Sequence, residues 1–174
     1  NVHNWVSSVT RTYVQNITLN YDNVNQVCAF TYYEEPIDNV NMGLGNTNES
    51  GCTTFDFVEN YNIRPSKTGN ARNNVDIMDL VMVYEGVLSI RELNPYQMIA
   101  ADINGVNGVT TLDLVYIRKM IDGEIDNWPF NTPVWKFLDK NHQIVNGLVT
   151  PYRDFINTNN LIYSNEFIGI KMGD

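Results

Sequence analysis

Two oxygen-rich stretches hold the residues whose types and spacing could do chemistry. One reads D-I-N-G-V-N-G-V-T-T-L-D from Asp102 to Asp113. Oxygen-bearing side chains stand at Asp102, Asn104, Thr110 and Asp113, which are positions 1, 3, 9 and 12 of a twelve-residue loop. A helical pattern runs on from Asp113. A hard cation such as calcium takes this arrangement, with oxygens at alternating loop positions and a carboxylate locked in the first turn of the exiting helix. The pattern recurs 34 residues earlier, where Asn70 matches Asn104, Asn73 matches Asn107 and Val75 matches Val109. Asp79-Leu80-Val81 likewise matches Asp113-Leu114-Val115. A repeated loop and helix is stronger evidence than a single loop. The candidate metal positions are Asp102, Asn104, Val106, Gly108, Thr110 and Asp113 in this loop (loop two). In the earlier one (loop one) they are Thr68, Asn70, Asn74, Asp76 and Asp79. Calcium is the implied cofactor.

Helices must hold these loops. From Ile77 to Leu88 the apolar residues Leu80, Tyr84, Val87 and Leu88 fall at helical spacing. Asp76 and Asp79 lie in the first turn, where carboxylates meet the positive helix end. Asn94-Pro95 starts a short helix through Ala101, because proline suits the first helical position. Leu112–Ile121 is the second main helix, closed near Gly123. Both main helices are too short to be stable alone and must pack on each other and on a sheet.

The sheet is expected mostly upstream. Asn1–Tyr21 reads as one long strand or two short ones, followed by Val27–Tyr33. Ile37–Leu44 is a third strand, with Val40, Met42 and Leu44 on one face; Cys52–Val58 is a fourth, and Tyr61–Pro65 a fifth stopped by proline. Short strands at such spacing predict a β-sandwich. Asn127–Asn160 reads as loop-rich, with Trp128, Phe130, Trp135, Phe137 and Tyr152 supplying apolar area for core and lid packing. Sugar platforms are the lesser alternative for these aromatics. Phe167–Lys171 is a last strand that returns to the sheet. The fold class is therefore α+β.

A chain of 174 residues can bury a real core in one or two domains. Its net charge of −9 argues against nucleic acid, which needs a basic surface, and suits a cation binder or a plain solvated surface. No run of apolar residues is long enough to span a membrane. There is no signal-peptide pattern and the chain does not begin with Met, so a processed or partial product is expected. Cys28 and Cys52 both sit in strand-like text; they are a disulfide in an oxidising compartment or else two buried free thiols. A zinc site with His3 and His142 lacks any recognised ligand spacing. Asn16 and Asn48 head glycosylation sequons, although such triplets arise by chance in an Asn-rich chain; glycans are thus candidate partners. Glu34, Glu35, Asp139 and Asp154 are isolated acids with no spacing that joins them into a catalytic pair, and neither a Ser-His-Asp context nor a phosphate loop occurs. No enzyme is expected. The N-terminal strand is either the first strand of its own domain or one that pairs with the sheet edge of another copy. In the second case Trp5, Val9 and Tyr13 carry assembly, and the chain is a homopolymer.

Asn73–Ile121 resembles a dockerin-type module, the paired calcium loop-helix unit of bacterial extracellular proteins. More closely, Tyr61–Asp174 resembles the C-terminal module of large secreted proteins of surface-dwelling bacteria. The match is carried by V-D-I-M-D-L-V at Val75–Val81 and A-A-D-I-N-G-V-N-G-V-T-T-L-D-L-V-Y-I-R-K at Ala100–Lys119. W-K-F-L-D at Trp135–Asp139 and N-E-F-I-G-I-K-M-G-D at Asn165–Asp174 complete it. Gln26–Pro65 is similar, less specifically, to an immunoglobulin-like or carboxypeptidase-regulatory-like sandwich, through P-I-D-N-V-N-M-G-L, F-D-F and Y-N-I-R-P. The resemblance implies an immunoglobulin-like β-sandwich with an inserted dockerin-like pair of calcium loop-helix units. It also implies an extracellular or cell-surface location and a scaffolding role. The expected units are a strand segment at 1–21, the sandwich at 22–66, the calcium-binding helices at 67–126, and aromatic-rich loops with the final strand at 127–174. The chain departs from the family pattern at Val106 and Asn107 of loop two and at Thr68 and Arg72 of loop one. Fewer carboxylates weaken binding, so loop two is expected to hold calcium and loop one to be weaker or empty. Without metal, each loop Asp caps its helix. Two functions follow: a calcium-stabilised subunit of a surface fibre or matrix built by strand exchange, or a docking module for a cohesin-like receptor. In the second, Tyr84, Tyr116, Arg118 and Lys119 would face the receptor.

Overall fold

The computed structural model describes residues 25–106, 108–142, 153–161 and 165–174. Asn16, His3 and the assembly residues Trp5, Val9 and Tyr13 lie outside these, as does Asn107. Among the described residues the chain is a mixed α+β protein with two sheets and three α-helices. The strands are β1 (Asn25–Thr31), β2 (Cys52–Phe55), β3 (Asn62–Ile63), β4 (Trp135–Asp139), β5 (Ile156–Asn157) and β6 (Glu166–Lys171). The helices are α1 (Ile77–Val87), α2 (Pro95–Ala101) and α3 (Thr111–Asp122).

The larger sheet runs β2-β1-β6-β4. The last strand does return to it, lying between β1 and β4, parallel to β1 and antiparallel to β4. A strand in that place is covered on both faces, and F-I-G-I is accordingly a continuous apolar run. Phe167 turns to one side, where it packs with Val27, Ala29 and Phe137 of the same sheet and with Ile63 and Ile156 of the small β3–β5 sheet. Ile168 and Ile170 turn to the other side, against Ile99 and Ala100 of α2. A third core lies between α1 and α3 and takes in Ile103, Ile117, Met120, Trp128 and Met172.

Two sequence expectations are corrected. Ile37–Leu44 forms no strand. Asn39 (φ 51°) and Gly43 (φ 77°) are left-handed and break the extended path, leaving isolated bridges such as Asn41 to Ser66. Its apolar positions still reach the core, with Val40 and Met42 fully buried. Thr47 fastens this segment, accepting from Val40 N at 2.9 Å and donating to Ile37 O at 2.7 Å. Second, the loop-rich stretch 127–160 contains β4 and β5. W-K-F-L-D lacks the clean alternation of a half-buried strand because residues on both of its faces are covered, Phe137 in one core and Leu138 in the other. Cys28 and Cys52 face each other in the β1–β2 register and form a disulfide, which removes the free-thiol alternative.

Gly169 pairs with Phe137 across β4–β6. A Cβ there would lie 2.9 Å from Phe137 Cε1 and meet Ile37 Cδ1 more closely. Gly169→Val is expected to cost about 1–3 kcal/mol by overpacking. In urea its midpoint should fall with an unchanged slope.

Candidate metal centre

Both loops are built by local hydrogen bonds that repeat at the 34-residue offset. Asn104 Oδ1 accepts from Val106 N at 2.7 Å, and Asn70 Oδ1 accepts from Arg72 N at 2.9 Å. Each is an Asx turn that starts the loop. Position 7 is left-handed in both, at Asn74 (φ 60°) and Gly108 (φ 72°). In loop one the left-handed residue is therefore Asn74 and not Asn73, the counterpart of Asn107. Each loop ends in a capping box, with Thr110 and Asp113 at the start of α3 and Asp76 and Asp79 at the start of α1. The reciprocal bonds are short: Asp113 Oδ2 accepts from Thr110 N at 2.9 Å, and Asp79 Oδ2 from Asp76 N at 2.7 Å.

The two loops differ in depth. Asp113 is completely buried, and it also accepts from Asn104 N at 3.1 Å and from Thr110 Oγ1 at 2.9 Å. Position 12 is thus bonded to positions 3 and 9 of its own loop. Asp102, at position 1, caps the end of α2. Its Oδ1 is buried with no hydrogen-bond partner. A buried carboxylate oxygen without a donor costs free energy unless something positive meets it. That oxygen, with those of Asn104, Thr110 and Asp113, fits a hard cation. Thr132 Oγ1 donates to Ile103 O at 2.6 Å and ties the loop to the segment leading into β4.

Loop one is shallower and more crowded. Thr68 and Asn70 are exposed, and Thr68 offers only a hydroxyl. Arg72 turns out to Asp126 Oδ1 at 2.9 Å and Ile125 O at 3.3 Å. Burial pushes the carboxyls of Asp79 and Asp174 up, aided by the charge of Asp76 and opposed by Lys171. Lys171 Nζ donates to Ala71 O at 3.1 Å. Burial lowers the Lys171 amine, while Asp174 and Asp79 favour its charged form. Loop two has a similar neighbour in Lys136 of β4, lowered by burial and supported by Asp102 and Asp113.

Among the described residues no three His, Cys, Asp or Glu side chains form a metal-holding group. A cation in loop two would rest on two carboxylates and on neutral oxygens. Lys136 and Lys171 were missed in reading the sequence. The available signal was a lone lysine beside large apolar residues inside or ending a strand, W-K-F-L-D and F-I-G-I-K.

The remaining candidates are dispersed. Asn48 lies in an exposed turn, its Oδ1 accepting from Ser50 N at 2.9 Å. Of the isolated acids, Asp139 is buried and meets Arg153 at 3.3 Å, and Asp154 pairs with Arg64 at 2.5 Å. Among the described residues no helix is long and apolar enough to cross a membrane. No family model matches the chain, and no curated protein or solved structure matches it either.

Proposed function

We propose that the protein is a non-enzymatic structural module of an extracellular or cell-surface fibre or matrix, in which loop two binds calcium and stabilises the fold. The orphaned Oδ1 of Asp102, set in a loop whose position-12 carboxylate is buried and fully bonded, is the observation that carries the calcium reading. On this reading the large sheet, covered on one face by β3–β5, is an immunoglobulin-like sandwich, and α1 and α3 are an inserted dockerin-like pair. Calcium binds only the folded chain and stabilises by mass action. It also fixes where α2 leaves the sheet and where α3 begins.

Fibre growth comes from strand exchange. The large sheet ends in β2 and β4 among the described residues, and an edge strand offers unpaired backbone groups to a strand from another copy. A head-to-tail joint of that kind does not close and grows into a filament. Calcium at ten times its dissociation constant is expected to add about 1.4 kcal/mol, which raises the thermal midpoint by about 4 °C. Asp102→Asn should abolish that shift. Electron microscopy of the purified protein should show filaments that thin in chelator and vanish when residues 1–21 are deleted. Filaments persisting in the deletion would exclude the strand joint.

A second reading, a docking module for a cohesin-like receptor, draws on a groove between α1 and α3. It encloses ≈ 470 Å³ and is lined by Leu80, Val81, Tyr84, Leu114, Val115 and Arg118. Tyr84, Val81 and Val115 are all exposed there. Tyr116 is turned away to stack edge-on against Phe130, at 5.6 Å between centroids. Receptor capture that survives alanine at both Tyr84 and Arg118 would sink this alternative.

A further inference from the structure

We propose that each loop is served by a cation carried on the protein's own sheet, Lys171 for loop one and Lys136 for loop two, and that these lysines decide which loop takes metal. The assignment rests on reading loop two as the calcium site. The two lysines stand on neighbouring strands, in the register Trp135 to Lys171 and Lys136 to Ile170. Strand alternation sends them to opposite faces of the sheet. Lys136 shares the face of Leu138, which packs on Ile99 and Ala100, and α2 runs on from these to end at Asp102. Lys171 shares the face of Phe167 and Gly169 and reaches loop one.

At loop one the protein cation is already seated. The Lys171 ammonium is bonded to the carbonyl of Ala71, the fourth residue of the loop, and lies beside Asp79 and Asp174. Arg72, the fifth residue, offers no oxygen and turns its guanidinium out to Asp126. No carboxylate stands at position 1. A divalent cation entering here would have to displace or repel that seated ammonium without gaining the ligand that usually anchors it.

At loop two the lysine is near but not seated. Among the described residues Lys136 Nζ makes no hydrogen bond and no ion pair, while Asp102 and Asp113 act on its charge. Asp102 Oδ1 stays without a donor. One ammonium against two carboxylates lowers the cost of burying them when no metal is bound. It cannot fill the coordination shell, so the site remains open. Once calcium binds, the same ammonium repels it. Lys136 thus trades affinity for stability of the metal-free fold, which suits a site working at the high calcium levels outside cells.

The test is calcium chloride titrated into the whole chain by calorimetry, with thermal unfolding in chelator as a second readout. Wild type should bind one calcium per chain. Lys136→Met should bind it about tenfold more tightly, a change of order 1.4 kcal/mol in charge repulsion. The same variant should unfold at a lower temperature in chelator, a pairing of effects that lost packing alone does not produce. Lys136→Arg should behave as wild type, and Asp79→Asn should leave stoichiometry and affinity unchanged. Equal or weaker binding by Lys136→Met, or two calcium ions per wild-type chain, would overturn the lysine assignment and leave loop two a calcium site. No heat and no shift in melting for wild type or Lys136→Met would sink the calcium reading itself, and the lysine assignment with it.

Discussion

Asp113→Ala is expected to destabilise the protein by about 3 kcal/mol even in chelator. The carboxylate is fully buried and accepts from Thr110 N, Thr110 Oγ1 and Asn104 N. Removing it deletes the α3 capping box, worth about 1 kcal/mol. It also strands partly buried N–H donors, at about 1–3 kcal/mol each when they find no water. Asp113→Asn keeps one acceptor oxygen and should fall about halfway between. The comparison that gives the prediction its edge is Asp79→Ala. Asp79 accepts one bond, from Asp76 N, and is only half-buried among like charges. Its loss should cost about 1 kcal/mol, the ordinary value of an N-cap. Urea denaturation of both variants in chelator separates the structural role from any metal. Equal losses at the two positions would show that the depth of loop two contributes nothing.

Breaking the Cys28–Cys52 bridge should cost a similar amount. The cysteines are 24 residues apart. Releasing a loop of that size returns about 3 kcal/mol of chain entropy to the unfolded state. For a chain of this length such a loss lowers the thermal midpoint by about 10 °C. The bridge joins β1 to β2, and β2 is a short strand at the edge of the sheet. With total stability near 5–15 kcal/mol, the reduced protein keeps its fold with a much thinner margin. The double variant Cys28→Ser/Cys52→Ser, followed by circular dichroism on heating, checks this. A midpoint unchanged within about 2 °C would mean that the edge pairing holds without the bridge.

The sequence by itself determined the features that are local. Asn, Thr and Asp at fixed spacing write Asx turns and capping boxes into each loop, and those bonds span only two or three residues. Asn94-Pro95 set the start of α2, and Gly123, left-handed at φ 77°, set the end of α3. Helix bounds and the last strand were legible for the same reason: a period of apolar residues and a terminator are properties of the text alone. The left-handed breaks at Asn39 and Gly43 were less legible, because an apolar period of two is satisfied by buried loop residues as well as by a strand.

Tertiary structure decided what surrounds those local units. Both loops carry an Asx turn and a capping box, yet Asp113 is fully buried while Asp79 is half-buried, and Thr132 of the segment leading into β4 is tied to Ile103 of loop two. β4 could not be recognised alone, since its two faces serve two different cores. Above all, the charges that meet the loops come from far along the chain. Lys171 bonds to Ala71 across 100 residues, and Lys136 reaches the field of Asp102 and Asp113 from β4. Electrostatic partners need only be close in space, so no spacing rule in the sequence could have paired them.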